Sequence, residues 1–520
     1  MNLVKAGGTI GGLTLVSRIL GFVREIVLAA VMGASAAADV FYFAFTIPNQ
    51  LRRLLGEGAF SQGFVPLFAR RVGKDGDLED ARRFAEEVQA VFLPVLMVIT
   101  IVFVIAMPAL MLVIGAGWRD DPEKFNLAVE LTQITFPYLI FIALVSLFSG
   151  ILNSLSRFTA AAFAPALLNV ALVGALLIWD SGGATTARAM AWSVLAGGVL
   201  QLALTVIATR RAGLKLALRP PRMTPRVKEL LRLMIPATIG AGGYYVSQLF
   251  YAYFVTRLDD GSFVYLQQAD RLNQLPLALI GSAIGVAILP AISRHIGQDE
   301  FKQAANVQGR ATELAMLLTI PATVALMVVA EPIMTALFAR GRFSEEDAAV
   351  SGLVLSMLAF GLPAYVMIKV LAPGFFARKD MKTPAIITIV TLGLGVIANF
   401  MFIGEYGIIV LPIATAAAAW ANALALYIIL ARRGHFSIEP WLLGRLLKQL
   451  LCAAVMAAIL IGCEILFADW FAAGSARQFL ALAVTCGSGG AAYLVLAWII
   501  GAMDKQDILL LLGKKKMRKL

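Results

Sequence analysis

Between Val88 and Gly115 the chain reads VQAVFLPVLMVITIVFVIAMPALMLVIG, without one charged side chain. A helix rising ~1.5 Å per residue crosses ~30 Å of hydrocarbon in about 20 residues. This run is therefore long enough to span a bilayer and too apolar to lie on the surface of a soluble domain. Outward from it, similar windows fall at roughly 8–31, 40–69, 127–153, 160–179, 186–208, 229–256, 263–293, 311–338, 348–376, 384–404, 407–431, 447–468 and 477–501. The pattern predicts an all-α polytopic membrane protein with fourteen transmembrane helices. Composition agrees. Of 520 residues 60% are hydrophobic and 15% charged, and the mean hydropathy is +0.83, which excludes a string of soluble domains.

The formal net charge is +12, from 44 Lys and Arg against 32 Asp and Glu. In a soluble protein that balance would suggest a nucleic-acid surface, so the position of the charge matters more than its sum. It concentrates in alternate connections: Lys5; Arg70, Arg71, Lys74, Arg82 and Arg83; Arg157; seven basic residues from Arg210 to Lys228; Arg294, Lys302 and Arg310; Arg378, Lys379 and Lys382; Arg432, Arg433, Arg445 and Lys448; and six from Lys505 onward. With both termini cytoplasmic, about 30 of the 44 lie inside and about seven outside, namely Arg119, Lys124, Arg188, Arg257, Arg340, Arg342 and Arg477. The charge reports topology, and no nucleic-acid partner is expected. Arg18 and Arg24 interrupt the first span and no small-residue cleavage site follows, so it is not read as a cleavable signal. Cys452, Cys463 and Cys486 have no metal-ligand spacing, and His295 and His435 are isolated, so neither a metal site nor a catalytic constellation is expected.

At an offset of 224 residues the chain coincides with itself at several punctuating positions. Asn49-Gln50-Leu51 falls on Asn273-Gln274-Leu275, Val65-Pro66 on Leu289-Pro290, Arg70 on Arg294, Pro108 on Pro332 and Gly150 on Gly374; with a short insertion, Leu168-Asn169 falls on Ala398-Asn399. The implied order is six helices, the same six again, and two more. Because six is even, both copies share one orientation, which predicts two pseudo-symmetric six-helix bundles with a ligand path between them. The expected divisions are an N-terminal lobe (1–209), a cytoplasmic linker (210–228), a C-terminal lobe (229–433), two extra helices (434–501) and a basic cytoplasmic tail (502–520). The linker, with Pro220, Pro221 and Pro225, is expected to carry an interfacial helix and no chemistry. The tail reads either as a segment on the anionic inner leaflet or as a solvated basic end.

The ionisable residues inside the spans are the informative ones. The first span carries Arg18, Arg24 and Glu25; the second carries Asn49, Arg52, Arg53 and Glu57, with Asp39 at its outer mouth; the eighth carries Asp270 and Arg271, and the tenth Lys369. At roughly 2.5–3.5 kcal/mol per Arg near a helix centre, the four arginines of the first two spans would cost on the order of 10–14 kcal/mol facing lipid. They are expected to face water or partners. Arg18 and Glu25, seven apart, share a helix face, while Asn49, Arg53 and Glu57 step by four with Arg52 beside them. Ion pairs that merely fasten helices would explain either pair alone. The whole set is basic-heavy, with Arg18, Arg24, Arg52, Arg53 and Arg271 set against Glu25, Glu57, Asp270 and Asp39. Surplus guanidinium in a membrane cavity implies an anionic ligand, and its planar fork suits phosphate oxygens. At the repeat offset Arg24 falls on Gln248, Arg52 on Pro276 and Arg53 on Leu277, so the cationic site is expected mainly on the first bundle, with Arg271 contributed by the second. The run from Gly56-Glu57-Gly58 to Gly63 and Pro66 reads either as a bend or unwound turn near Gly56–Gly58 or as helix-packing glycines.

The segments Ser17-Arg18-Ile19-Leu20-Gly21-Phe22-Val23-Arg24-Glu25, Ala38-Asp39, Pro48-Asn49-Gln50-Leu51-Arg52-Arg53, Glu57-Gly58-Ala59-Phe60-Ser61-Gln62 and Ala269-Asp270-Arg271-Leu272 with Gln274-Leu275-Pro276 resemble the MurJ (MviN) family. Those are lipid II flippases of bacterial peptidoglycan synthesis, within the multidrug/oligosaccharidyl-lipid/polysaccharide (MOP) exporter superfamily. The resemblance covers essentially the whole chain. It implies a V-shaped, two-lobed transporter and not an enzyme. Its cationic cavity would receive the pyrophosphate-linked sugar-peptide headgroup, and its last two helices would form a groove for the polyprenyl tail. By position, Arg18, Arg24, Arg52 and Arg271 match basic residues of functional importance in the family, and Asp39 and Glu57 match acidic ones. Gln274 stands where some members have a carboxylate.

The role so implied is flipping of lipid II from the cytoplasmic to the periplasmic leaflet of the bacterial inner membrane by alternating access. Arg18, Arg24, Asn49, Arg52, Arg53 and Arg271 would bind substrate, and Glu25, Asp39, Glu57 and Asp270 would form gating ion pairs. Lipid II and membrane lipids are the expected partners of a monomer working beside cell-wall synthesis proteins. No cofactor is expected, and membrane potential or a coupling cation would supply the drive. A flippase for another polyprenyl-diphosphate glycan and a multidrug exporter of the same superfamily remain the alternatives.

Overall fold

Backbone polar groups have no water to bond in hydrocarbon, so long apolar runs must satisfy them internally. All elements among the described residues are helices, and no strand occurs among them. The structure, a computed structural model, describes residues 3–52, 59–73, 78–472, 475–505 and 507; within these, side chains are described except at 3–10, 51–52, 59, 61–62, 236–246, 282–283, 286–287, 472 and 475. In order the helices are α1 (Leu3–Met32), α2 (Ala36–Arg52), α3 (Ala59–Ala69), α4 (Glu79–Ile114), α5 (Pro122–Thr135), α6 (Tyr138–Ser154), α7 (Thr159–Ile178), α8 (Ala184–Arg211), α9 (Pro225–Val255) and α10 (Ser262–Pro276). A π-helical turn, Leu277–Gly281, leads into α11 (Ser282–Ile296), followed by α12 (Phe301–Val328), α13 (Ala330–Phe338), α14 (Glu345–Phe360), α15 (Leu362–Phe376), α16 (Lys382–Tyr406), α17 (Val410–Arg432), α18 (Pro440–Leu466), α19 (Ala468–Ala472) and α20 (Ser475–Ile499). Each apolar window of the sequence is occupied by one helix or by two in tandem. Among the described residues nine helical stretches are long and apolar enough to cross a membrane, and the chain is a multi-pass membrane protein.

The repeat is written into the element boundaries. α4 ends at 114 and α13 at 338, and α6 begins at 138 and α15 at 362, each 224 residues apart. Helix breaks recur as well. α5 and α6 divide at Phe136-Pro137, and α14 and α15 divide at Gly361, because proline removes an N–H donor and glycine loosens the backbone at the same point of each copy.

The helices pack as two compact units, Met1–Val264 with Arg340–Ser344, and Tyr265–Ala339 with Glu345–Leu520. The core of the first is rich in phenylalanine: Phe64 stacks on Phe60 at 5.1 Å and on Phe84 at 5.4 Å, and Leu230 and Met234 of α9 close over this cluster. In the second, Ile288 and Ile292 of α11, Ala311 and Ala315 of α12, Val370 of α15, Met456 of α18 and Tyr493 of α20 form one core. The packing boundary at 264/265 thus differs from the repeat-based division at 209–229, because α9 buries its apolar face on α3 and α4.

The linker departs from expectation. Residues 214–223 form no interfacial helix. Pro220 and Pro221 offer no N–H for one, and the segment is instead held extended against α4. Glu86, fully buried on α4, accepts from the Ala217 N–H at 3.0 Å and pairs with Arg219 at 2.5 Å and Arg82 at 2.7 Å. Thr224 donates to Glu87 at 2.7 Å. Glu86→Ala is expected to destabilise the protein by about 1–3 kcal/mol, because it leaves the Ala217 amide unbonded while both arginines can reach water. A lowered melting temperature in detergent and faster amide exchange at Ala217 are the measurements that check it.

Candidate functional site

Burying a charge in an apolar helix bundle requires a partner and hydrogen bonds for the lone pairs that remain. The first unit meets both needs around α1. Arg24 is 6% exposed and Glu25 0%, and these sequence neighbours form an ion pair. A second Arg24 nitrogen donates to Asn169 Oδ1 of α7 at 3.1 Å. The Tyr42 hydroxyl of α2 donates to the other Glu25 oxygen, and Asn169 Nδ2 donates to the Ser17 carbonyl at 3.3 Å, with Gly21 facing the Asn169 amide. The arrangement is a polar network on three helices, α1, α2 and α7.

Arg18, on the same helix, is exposed and has no ion-pair partner among the described residues. The pair that forms is therefore Arg24–Glu25 and not the face-sharing Arg18–Glu25. Asn49 on α2 is half-buried. α2 ends at Arg52, whose side chain is not among those described; Arg53, Glu57 and the Gly56–Gly58 turn lie outside the described residues. The repeat equivalent of residues 53–57 is the π-helical turn Leu277–Gly281.

Asp39 has a different set of partners from the arginines expected of it. Buried at 2% exposure in the first turn of α2, it accepts from the Gly261 N–H at 2.8 Å and the Val264 N–H at 3.3 Å, where α10 begins. N–H groups at a helix start lack partners within the helix, and this carboxylate satisfies two of them. The neighbouring cation, Lys124, pairs with Asp260 and sits 4.8 Å over the Trp118 ring.

In the second unit Asp270 is half-buried and accepts from the Gln274 side chain one turn on, and Arg271 is half-buried beside it. Lys369 of α15 is exposed, and its chain crosses the π-helical turn where Gly281 has no Cβ; one placed there would stand 2.7 Å from the Lys369 Cδ. Sequence reasoning missed Asn169 and Tyr42 as members of the polar network. A signal for the first was present: Asn169 is a lone amide in an apolar run, and its repeat partner Asn399 is buried too.

The family model described as Lipid II flippase MurJ matches residues 28–481. The probable lipid II flippase MurJ of Rhizobium tropici is 42% identical, over 97% of this chain and 95% of its own length. The lipid II flippase MurJ of Burkholderia cenocepacia is 34% identical, over 96% of this chain and 98% of its own. Among solved structures, a lipid II flippase MurJ in an inward closed conformation superposes with a TM-score of 0.78 at 24% identity, covering 94% of this chain and 98% of that one. An inward-facing multidrug resistance MATE family transporter of the MOP superfamily gives 0.63 at 16% identity, over 80% of this chain and 94% of that one. Both structural likenesses bear on the fold alone.

Proposed function

The chain belongs to the lipid II flippase MurJ family, and from that premise we propose that it moves lipid II from the cytoplasmic to the periplasmic leaflet of the bacterial inner membrane. One observation carries the link from family to chemistry. α1, an otherwise apolar helix, exposes Arg18 without an ion-pair partner among the described residues and holds Arg24 in reserve against Glu25 and Asn169. A diphosphate meets Arg18 first and then competes with Glu25 for Arg24, where the guanidinium fork matches two phosphate oxygens. Arg52, Arg53 and Arg271 complete the cationic lining in this reading, and Asn49 adds a neutral amide donor. Glu25, Glu57 and Asp270 take back arginines when the headgroup leaves, while Asp39 fixes the start of α10. The chain acts as a monomeric transporter by alternating access, with both termini cytoplasmic, and performs no covalent chemistry.

Two negative charges moved outward from a negative-inside cell gain ~2.3 kcal/mol each per 100 mV, so about 5 kcal/mol of drive comes from membrane potential alone. The test is reconstitution with labelled lipid II, and in parallel with a different polyprenyl-diphosphate glycan, with and without an imposed potential. Faster flipping of lipid II than of the other glycan, accelerated by the potential, is expected. Equal rates for both would remove the assignment to lipid II. Arg18→Ala is expected to slow lipid II flipping 10–100-fold, the equivalent of one charge-assisted phosphate contact of ~1.5–3 kcal/mol. An unchanged rate would show that Arg18 makes no substrate contact.

A further inference from the structure

At the end of the first unit that carries the basic linker, α3 and α9 touch where Gly63 lies against Leu230. A Cβ on Gly63 would stand 3.1 Å from the Leu230 Cδ1, so the helices close tightly there. Beside this contact they flank an open cavity of about 410 Å³ lined by Leu67, Arg70, Lys228, Glu229, Arg232 and Leu233. That volume falls within the ~300–1,000 Å³ of small-ligand sites.

Arg71, Arg82, Arg83, Arg219 and Arg226 at this end of the unit all have carboxylate partners, at Glu229, Glu79, Glu86 and Asp80. Arg70, Lys228 and Arg232 have none among the described residues; Arg157, Arg210, Arg211, Lys215 and Arg222 also have none, but they do not line the cavity, whereas Arg70, Lys228 and Arg232 all do. The single carboxylate of the lining, Glu229, is neutralised from outside by Arg71 at 3.2 Å. Lys228 and Arg232 are four apart on α9 and so stack on one face, opposite Arg70 at the end of α3. Leu233, in the lining next to Arg232, is 52% exposed, and Ile235, three residues past Arg232 and so on the same face, is 55% exposed. Cations above and open apolar surface below are the two halves of an interfacial lipid site.

We propose that this cavity binds the phosphate of an anionic glycerophospholipid of the cytoplasmic leaflet, with Arg70, Lys228 and Arg232 on the phosphate and Ile235, three residues past Arg232 on the same face of α9, along the acyl chain. The site is separate from the α1–α2–α7 network, and its occupant is a bilayer lipid and not the transported one. It uses Arg232, an in-span cation with no part in the transport reading. The orientation of this face toward the cytoplasm rests on the same topology as the proposed function. The test reads lipid binding and not flipping, so its failure leaves the transport reading standing.

The experiment titrates the delipidated full-length protein with phosphatidylglycerol or with phosphatidylcholine and counts bound lipid by native mass spectrometry. Wild type is expected to retain one phosphatidylglycerol more tightly than any phosphatidylcholine. Arg70→Gln/Lys228→Gln/Arg232→Gln should weaken that lipid on the order of 100-fold, from the loss of three basic contacts at an anionic surface. A charge-matched control, Arg210→Gln/Arg211→Gln/Lys215→Gln, should leave it in place. Leu233→Trp, which keeps every charge and narrows the cavity mouth, should displace it as well and serves where the triple variant does not fold. Equal loss in cavity and control variants would overturn the site, as would equal retention of phosphatidylcholine. Displacement by millimolar inorganic phosphate alone would show a soluble phosphate ligand and overturn the lipid assignment.

Discussion

Arg24→Ala is expected to abolish flipping of reconstituted lipid II, and repairing the fold is expected not to bring it back. The variant removes an ion-pair partner of a fully buried carboxylate, which also accepts from Tyr42. Breaking a buried pair from one side destabilises by about 3–5 kcal/mol, so loss of flipping in the single variant is ambiguous between a missing contact and a weakened bundle. The double variant Arg24→Ala/Glu25→Gln separates the two. Glutamine still accepts from the Tyr42 hydroxyl and carries no charge that needs a cation, so most of the melting temperature should return. Flipping should stay at least 100-fold below wild type, because the guanidinium that would hold the diphosphate is still missing. Arg24→Lys keeps the charge but loses the planar fork, and an intermediate deficit of about tenfold is expected. If the double variant flips at a rate within tenfold of wild type, Arg24 fastens helices and does not bind substrate. The readout is the fraction of labelled lipid II open to an impermeant quencher over time, beside a thermal melt of the same preparations.

The helical class was legible because apolar run length and repeat offset are local or one-dimensional quantities, and the C-terminal ends of α4 and α13, at 114 and 338, stand at that offset. Features set by contact between distant segments were not. The window at 127–153 looks uniform, yet it holds two helices divided at Phe136-Pro137, because hydropathy is blind to a lost N–H. Pairing by helix face puts Arg18 with Glu25; the observed partner is Arg24, which points ~100° away along the helix and reaches Glu25 only because an arginine side chain is long enough to turn back. Asp39 carries no mark in the sequence of the two N–H groups it meets, more than 200 residues on, at Gly261 and Val264. α9 belongs with the second copy by repeat and with α3 and α4 by packing, and only the latter depends on side-chain fit at Gly63.

Gly341→Ala unseats the segment Arg340–Ser344 from the end of α1, with local opening easier by about 2–4 kcal/mol. The Arg342 N–H donates to the Ala30 carbonyl at 2.8 Å, and the two chains lie so close that a Cβ on Gly341 would stand 2.3 Å from that same oxygen. Gly33 returns the contact: its Cβ would be 2.5 Å from the Arg342 carbonyl oxygen. Both glycines are left-handed, at φ +64° and +62°, a conformation that costs an L side chain roughly 1–2 kcal/mol by itself. The obstructing atoms are backbone, so neither side can turn a rotamer away, and the added methyl must separate the chains. Gly182, also left-handed at φ +75°, is different in kind. A Cβ there meets the Arg342 guanidinium, the far end of a flexible side chain, which loses its 2.5 Å bond to the Ser181 carbonyl and swings aside. Gly407→Ala supplies the conformational cost alone, since its φ is +59° and nothing lies within 4 Å of the added methyl. Amide exchange at Arg342 should therefore rise ~30- to several-hundred-fold in Gly341→Ala, clearly less in Gly182→Ala, and not at all in Gly407→Ala. Exchange at Arg342 that is unchanged in Gly341→Ala would mean that the backbone contact with Ala30 does not hold the segment in place.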